Sequence, residues 1–283
     1  MKTRLIIFSL ALSIGFLAQA GGGWVYGKNK GFFKLAQNVI RSPHFYDGDG
    51  NVIDIPTVSL YTSSLYAEYG ITDRLNGVLY MPFFVRSTLN RVEFRQSGST
   101  IKGDAISSFG DTNIGLKYGI VRNKPVVLAA SLILGIPLGS SEVSSERILQ
   151  TGDGEFNQML MLEASHSISG TPLYASVGLG YNNRTNGFSD EVRIGLELGG
   201  GYDRIAANVK LGIVESLYNG QPNDGSNSAN GVFSNNTEYV SITPELIYGF
   251  TDQFGVAASA GFAASGRRIL ASPNFSLGVF LEL

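Results

Sequence analysis

Val240-Ser241-Ile242-Thr243-Pro244-Glu245-Leu246-Ile247-Tyr248-Gly249 is the stretch on which the fold turns. Val240, Ile242, Pro244, Leu246 and Tyr248 face one way. Ser241, Thr243, Glu245, Ile247 and Gly249 face the other, and Thr251-Asp252-Gln253 follows as a tight turn. Strict alternation over about ten residues, closed by a turn, is the pattern of a β-strand that crosses a membrane. The pattern recurs upstream. Val192, Ile194, Leu196 and Leu198 alternate with Arg193, Gly195 and Glu197, and Val209, Leu211 and Ile213 alternate with Asn208, Lys210 and Gly212.

Connections of two lengths order these strands. Tight turns fall at Thr72-Asp73-Arg74, Arg122-Asn123-Lys124-Pro125, Ser169-Gly170-Thr171-Pro172, Tyr202-Asp203-Arg204 and Thr251-Asp252-Gln253. Longer connections lie at about 38–56, 90–109, 139–154, 182–190, 216–237 and 265–273. Short periplasmic turns alternating with longer extracellular loops are the mark of outer-membrane barrels. Five turns and six loops define twelve antiparallel strands, estimated at 28–38, 57–71, 75–89, 110–121, 126–138, 155–168, 173–183, 190–201, 204–216, 238–250, 254–265 and 274–283. Gly31-Phe32-Phe33 and Met81-Pro82-Phe83-Phe84 interrupt the alternation. The expectation is an all-β, twelve-stranded transmembrane β-barrel with both termini on the periplasmic side and no unpaired edge in the bilayer.

Composition agrees with a wall that splits its faces between lipid and lumen. The 283 residues include 36 Gly and no Cys, and only 16 % are charged. A net charge of -2 offers no footprint for nucleic acid. Zero cysteine removes disulfides, thiolate metal sites and thiol nucleophiles. Mean hydropathy of +0.09 is too mild for a bundle of membrane helices. At the start, a basic Met1-Lys2-Thr3-Arg4, the apolar run Leu5 to Leu17 and the small-x-small Ala18-Gln19-Ala20 read as a signal peptide of residues 1–20, cleaved after Ala20. The barrel then occupies residues 21–283, with 19 Lys+Arg against 23 Asp+Glu. The expected location is the outer membrane of a Gram-negative cell, with membrane lipid as a partner.

Tyr69, Tyr118 and Tyr248 each precede a tight turn, which suits an interfacial aromatic girdle. The C-terminal Ser276-Leu277-Gly278-Val279-Phe280-Leu281-Glu282-Leu283 resembles the terminal-strand signal of outer-membrane barrels, which implies the barrel-assembly machinery as a partner of residues 276–283.

Phe109-Gly110-Asp111-Thr112-Asn113-Ile114-Gly115-Leu116-Lys117-Tyr118 resembles a signature of an outer-membrane family associated with meta-pathway phenol degradation. Tyr69-Gly70-Ile71-Thr72-Asp73-Arg74-Leu75, Ile136-Pro137-Leu138-Gly139 and Thr151-Gly152-Asp153-Gly154 are similar to its other recurring pieces, and the resemblance spans roughly residues 57 to 283. It implies a barrel that carries small, often apolar molecules; barrel and cargo are separable, so it implies no particular substrate.

If the apolar face meets lipid, the other face lines the interior. That assigns Lys34, Glu68, Lys117, Glu163, Arg193, Glu197, Lys210 and Glu245 as candidate pore-lining residues, with Arg86 as a further candidate. Arg193 or Glu197 beside Lys210, and Lys210 beside Glu245, are the expected ion pairs. Such a band either selects solutes at a polar constriction or braces the barrel with a salt-bridge network. Twelve strands lie between a filled and an open interior, so width decides nothing. The leading expectation is passive or facilitated passage of small solutes; the alternative is a closed barrel with a surface binding or structural role, and a lipid-modifying enzyme ranks third.

Other chemistry is weaker. Of two histidines, His44 follows Pro43 in an expected loop, and His166 has Ser167 and Ser169 on the opposite strand face, unlike the His-x-Ser arrangement of outer-membrane lipid hydrolases. No catalytic residue is assigned. Asp47-Gly48-Asp49-Gly50-Asn51 opens like a calcium loop, but Val52 and Val58 stand where Gly and Glu are required. No metal site or cofactor is expected. The polar loop 219–236 reads as a plain outer loop.

Overall fold

The computed structural model describes residues 22–93, 98–141, 149–221 and 233–283. The signal-peptide reading and most of the polar loop 219–236 lie outside the described residues. The strands are β1 (Gly31–Tyr46), β2 (Val52–Gly70), β3 (Leu75–Leu89), β4 (Val92–Glu93), β5 (Thr100–Ile101), β6 (Asp104–Ser108), β7 (Thr112–Val121), β8 (Val126–Ile136), β9 (Asn157–Ser167), β10 (Leu173–Arg184), β11 (Glu191–Tyr202), β12 (Ile205–Ser216), β13 (Glu238–Gly249), β14 (Phe254–Arg267), β15 (Ile269–Leu270) and β16 (Asn274–Glu282).

Twelve of them form a closed antiparallel barrel. Each wall strand pairs with its neighbours in sequence, and β1 closes the ring by pairing with both β2 and β16. Closure satisfies every ladder without leaving an edge toward lipid. The fourth wall position is shared: β6 pairs with the upper half of β3 and β7 with the lower half. Between them the Gly110 amide bonds to the Pro82 carbonyl at 2.8 Å. A side chain at Gly110 would meet Pro82 and Val85 within 3 Å, so the strand breaks where Gly110 faces a proline that cannot donate.

The outer face is apolar: Leu160, Leu162, Leu277 and Leu198 are 55 to 61 % exposed. Buried residues on the inner face are mostly polar, the inverse of a soluble domain.

Two boundaries differ from expectation. β1 runs on to Tyr46 and β2 begins at Val52, so the first connection shrinks from 38–56 to a hairpin at 47–51. Its turn is built by Asp47, whose carboxylate accepts the Asn51 and Asp49 amides at 2.8 and 2.9 Å, with Gly50 at φ 85°. A register shift at Ser42/His44 hides the extension from any period-two reading.

The lumen is filled at both ends. Residues 22–30 precede β1 and run into its periplasmic half. The Gly23 amide donates to Ser165 Oγ at 2.7 Å, and Trp24 packs edge-on against Tyr174 at 5.5 Å. Tyr26 joins an apolar cluster of Phe32, Ile247, Ala257 and Phe280. At the outer end, the described part of the connection from β8 to β9 reaches inward at Leu149. Its Leu149 is fully buried among Val58, Leu89 and Leu270.

Candidate functional site

The interior charges gather into separate groups. Lys34 on β1 and Lys210 on β12 both reach Glu245 on β13, at 2.5 and 2.8 Å. β13 and β1 are separated by β14 and β16, so the Lys34–Glu245 pair leaves the wall and forms a bar along a chord across one side of the lumen. A second group sits on the adjoining wall. Lys117 on β7 lies 3.7 Å from Glu68 and 3.6 Å from Glu163, and Glu68 also accepts a 2.7 Å bond from Asn76. Glu197 accepts a hydrogen bond from the Tyr174 hydroxyl.

The Lys210–Glu245 pair is a diagonal contact between neighbouring strands, since Lys210 faces Thr243 and Glu245 faces Asn208. Arg193 and Glu197 do not pair with Lys210. Arg193 turns to Glu191, two residues away on its own strand, at 2.7 Å, and Glu197 takes the nearer tyrosine. Residues i and i+2 of a strand share a face, which makes Glu191 the nearer partner of Arg193.

Arg86 does not face the lumen. A bulge shifts the β2–β3 register between Ser63 and Ser64, so Ser64 faces Pro82 while Ser63 faces Phe84. One extra residue inverts the alternation above it. Val85 and Ser87 therefore point inward and Phe84, Arg86 and Thr88 outward.

Two cavities flank Lys210. One of 300 Å³ is lined by Phe32, Asn38, Ser64, Tyr66, Tyr80 and Glu245, among others. The other, of 400 Å³, includes Gly22, Met161, Glu163, Ser176, Gly178 and Glu197. Gly178 and Gly195 leave this second space open where any larger side chain would enter it.

Three of the four family-like motifs converge on one knot at the outer end, while Tyr69 to Leu75 forms the short turn between β2 and β3 at the other. Asp111 accepts the Gly139 amide at 3.0 Å and the Asp153 amide at 2.8 Å. Ser140 and Thr151 bond to each other through amide, carbonyl and hydroxyl. A side chain at Gly152 would meet Asp111 within 2.6 Å. Arg184, the last residue of β10, then ties the knot to the wall: it donates to Asp153, Glu155 and Glu191 at 2.8, 2.7 and 2.8 Å. Arg184 falls within the expected loop 182–190, where strand alternation assigns no lumen-facing residue. The signal available was the acidic pair Asp153 and Glu155 around a glycine turn, which needs a cation.

Burial, the neighbouring Asp111 charge and a hydrogen bond to Asp111 raise the Asp153 carboxyl to about 6, against the pull of Arg184 and the Glu155 amide. A raised carboxyl destabilises the folded state above its folded pKa and ceases to do so as it takes up its proton. Resistance to denaturant is therefore expected to rise as pH falls from about 7.5 to about 5. The rise should be markedly smaller in Asp153→Asn, as read by Trp24 fluorescence.

Tyr69, Tyr118 and Tyr248 lie on the outward face beside the short turns, 38 to 49 % exposed. Tyr248 meets Phe250 at 5.4 Å, and Phe250 stacks on Phe254 at 5.7 Å, extending the aromatic rim. His166 bonds to the Pro125 carbonyl at 2.6 Å and His44 to Asp54 at 2.9 Å, both in exposed positions away from the lumen. Among the described residues no group of three acidic or histidine side chains could hold a metal ion.

The fold is similar to that of an outer membrane channel from Pseudomonas putida F1, with a TM-score of 0.64 at 15 % identity over 94 % of this chain and 100 % of that one. The translocator domain of the autotransporter NalP from Neisseria meningitidis gives 0.48 at 11 % identity, covering 89 % and 88 %. A monoaromatic hydrocarbon channel, CymD, gives 0.42 at 9 % identity, covering 90 % and 88 %. No curated protein matches in sequence. A family model described as "Putative MetA-pathway of phenol degradation" matches residues 45–277, a span that contains the Asp111 knot and the charged bar from Lys210 to Glu245, and the chain belongs to that family.

Proposed function

We propose that the protein is an outer-membrane channel that passes small solutes through a narrow, charge-crossed lumen. The supporting observation is the Lys34–Glu245–Lys210 bar with a cavity on each side of Lys210. A solute crossing the barrel meets a fixed set of charges there, and such sets discriminate by sign and size. Lys34, Glu68, Lys117, Glu163, Arg193, Glu197, Lys210 and Glu245 line this route, and no catalytic step is assigned to any of them. The family description names phenol degradation, and Phe32, Tyr66 and Tyr80 around the smaller cavity suit a small aromatic solute. Tyr69, Tyr118 and Tyr248 anchor the periplasmic edge of the wall. The terminal strand, residues 276–283, serves as the handle for barrel assembly.

In planar bilayers the protein should give discrete conductance. Glu245→Gln leaves Lys34 and Lys210 without their shared counter-charge, so selectivity should move toward anions, read as a shifted reversal potential in a salt gradient. Silent bilayers together with no solute uptake by liposomes would reject the channel. The second reading, a closed barrel with a binding role, is favoured by the buried Leu149 and the inserted segment 22–27, and it predicts that silence.

A further inference from the structure

The bulge that turns Arg86 outward brings it near a second arginine on the same face. Arg41 on β1 lies opposite Ser59 of β2, while Arg86 on β3 lies opposite Tyr61 of β2. The lumen-facing side of β1 carries Lys34 and Asn38, so Arg41 is on the outward side, and both arginines are exposed. Two strand spacings and a two-residue offset separate their Cα atoms by about 12 Å. Two arginine side chains span that distance and meet over one headgroup.

Their height is equally specific. Arg41 is ten residues along β1 from Gly31, and Arg86 eleven along β3 from Leu75. At ~3.3 Å per residue and a tilt of about 40°, both stand ~25–28 Å above the short-turn end. That is the far edge of an apolar band ~25 Å tall, where outer-leaflet headgroups begin.

The interior cations Lys34, Lys117, Arg184, Arg193 and Lys210 each have a carboxylate partner. Arg41 and Arg86 have none among the described residues, and Arg86 donates instead to the Ser107 hydroxyl at 3.4 Å. Hydroxyls of Ser59, Tyr61 and Thr88 lie on the same face between them. Below this patch the wall presents Val39, Phe84 and Leu35, interrupted on β1 and β2 by the Gln37–Ser63 hydrogen bond at 2.6 Å.

We propose that Arg41 and Arg86 form a binding site for a phosphate-bearing lipid of the outer leaflet. The two guanidinium groups hold the headgroup phosphates, and the acyl chains lie along the apolar wall beneath. Planar guanidinium groups match phosphate oxygens in paired hydrogen bonds, and a lipid brings its phosphate to this height already oriented. A soluble phosphate would bring no chains for the lower wall.

The inference rests on the membrane-barrel reading, and the test separates the two. The purified protein is folded into phosphatidylcholine vesicles containing lipid A, with folding read from the heat-dependent gel shift of intact barrels. It is then extracted, and native mass spectrometry counts retained lipid A, a glucosamine disaccharide carrying two phosphates. Retention is expected to fall about tenfold in the double variant Arg41→Gln/Arg86→Gln, equivalent to ~1.4 kcal/mol. A comparable fall is expected for native protein given dephosphorylated lipid A. Equal retention by the folded double variant, equal retention of the dephosphorylated lipid, or displacement by millimolar inorganic phosphate overturns the site. Failure of the native chain to enter vesicles overturns the membrane reading and the site with it.

Discussion

Arg184→Met is expected to destabilise the barrel by about 3–5 kcal/mol, the usual result of removing one partner from a buried ion-pair group. Arg184 is 7 % exposed, and its three partners, Asp153, Glu155 and Glu191, are 16, 0 and 5 % exposed. Removing the guanidinium leaves three desolvated carboxylates within a few ångströms of one another. Arg193 still reaches Glu191, but among the described residues no other cation forms an ion pair with Glu155. The damage should be local at first. Asp153 holds the inward connection through Asp111, so Leu149 would lose its support and the outer end of the lumen would loosen. The measurement is urea unfolding in lipid vesicles, paired with single-channel recording. An unfolding midpoint within error of the native protein would show that the knot adds no net stability. Arg184→Lys keeps one charge but not the three-way fork, and should recover only part of the loss.

The second large effect concerns the segment inside the periplasmic half. A Cβ at Gly23 would lie 2.8 Å from the Val127 carbonyl oxygen and 3.0 Å from that of Glu163. Both are backbone atoms of the wall and cannot yield. Gly23→Val is therefore expected to expel residues 22–27, because forcing the side chain in costs about 1–3 kcal/mol against a few hydrogen bonds and one ring contact. Conductance should rise several-fold as the lower lumen clears. Trp24, the single tryptophan of the chain, should lose Tyr174 and shift its emission to the red. A red shift without a conductance change would show that the segment fills the lumen without limiting flow. Neither change would mean that the segment stays in place despite the added side chain.

Strand count, turn positions and the outward aromatics were legible because they depend on local rules. Alternation at Val240 to Gly249 and the Thr251-Asp252-Gln253 turn need only neighbouring residues to be read. The Lys210–Glu245 pair followed from the same rule applied to two adjacent strands. Lys34 as a second partner of Glu245 did not, since β1 and β13 meet only across the interior. Arg86 was misplaced because a single bulged residue reverses every side chain above it, and nothing in Met81-Pro82-Phe83-Phe84 marks which residue is extra. The Asp111 motif carried a family resemblance but no hint that Gly139, Asp153 and Arg184 would meet around it.

The sequence by itself determined the wall. Period-two patterning splits lipid from lumen, and connection length sets which end is which. What fills the wall was decided only by tertiary structure. Val240 to Gly249 takes its conformation from its own alternation, whereas Gly22 to Gly27 and Leu149 have no pattern of their own. They settle where a closed twelve-strand ring leaves space, apolar contacts and unpaired polar groups. That space exists only after β1 has paired with β16.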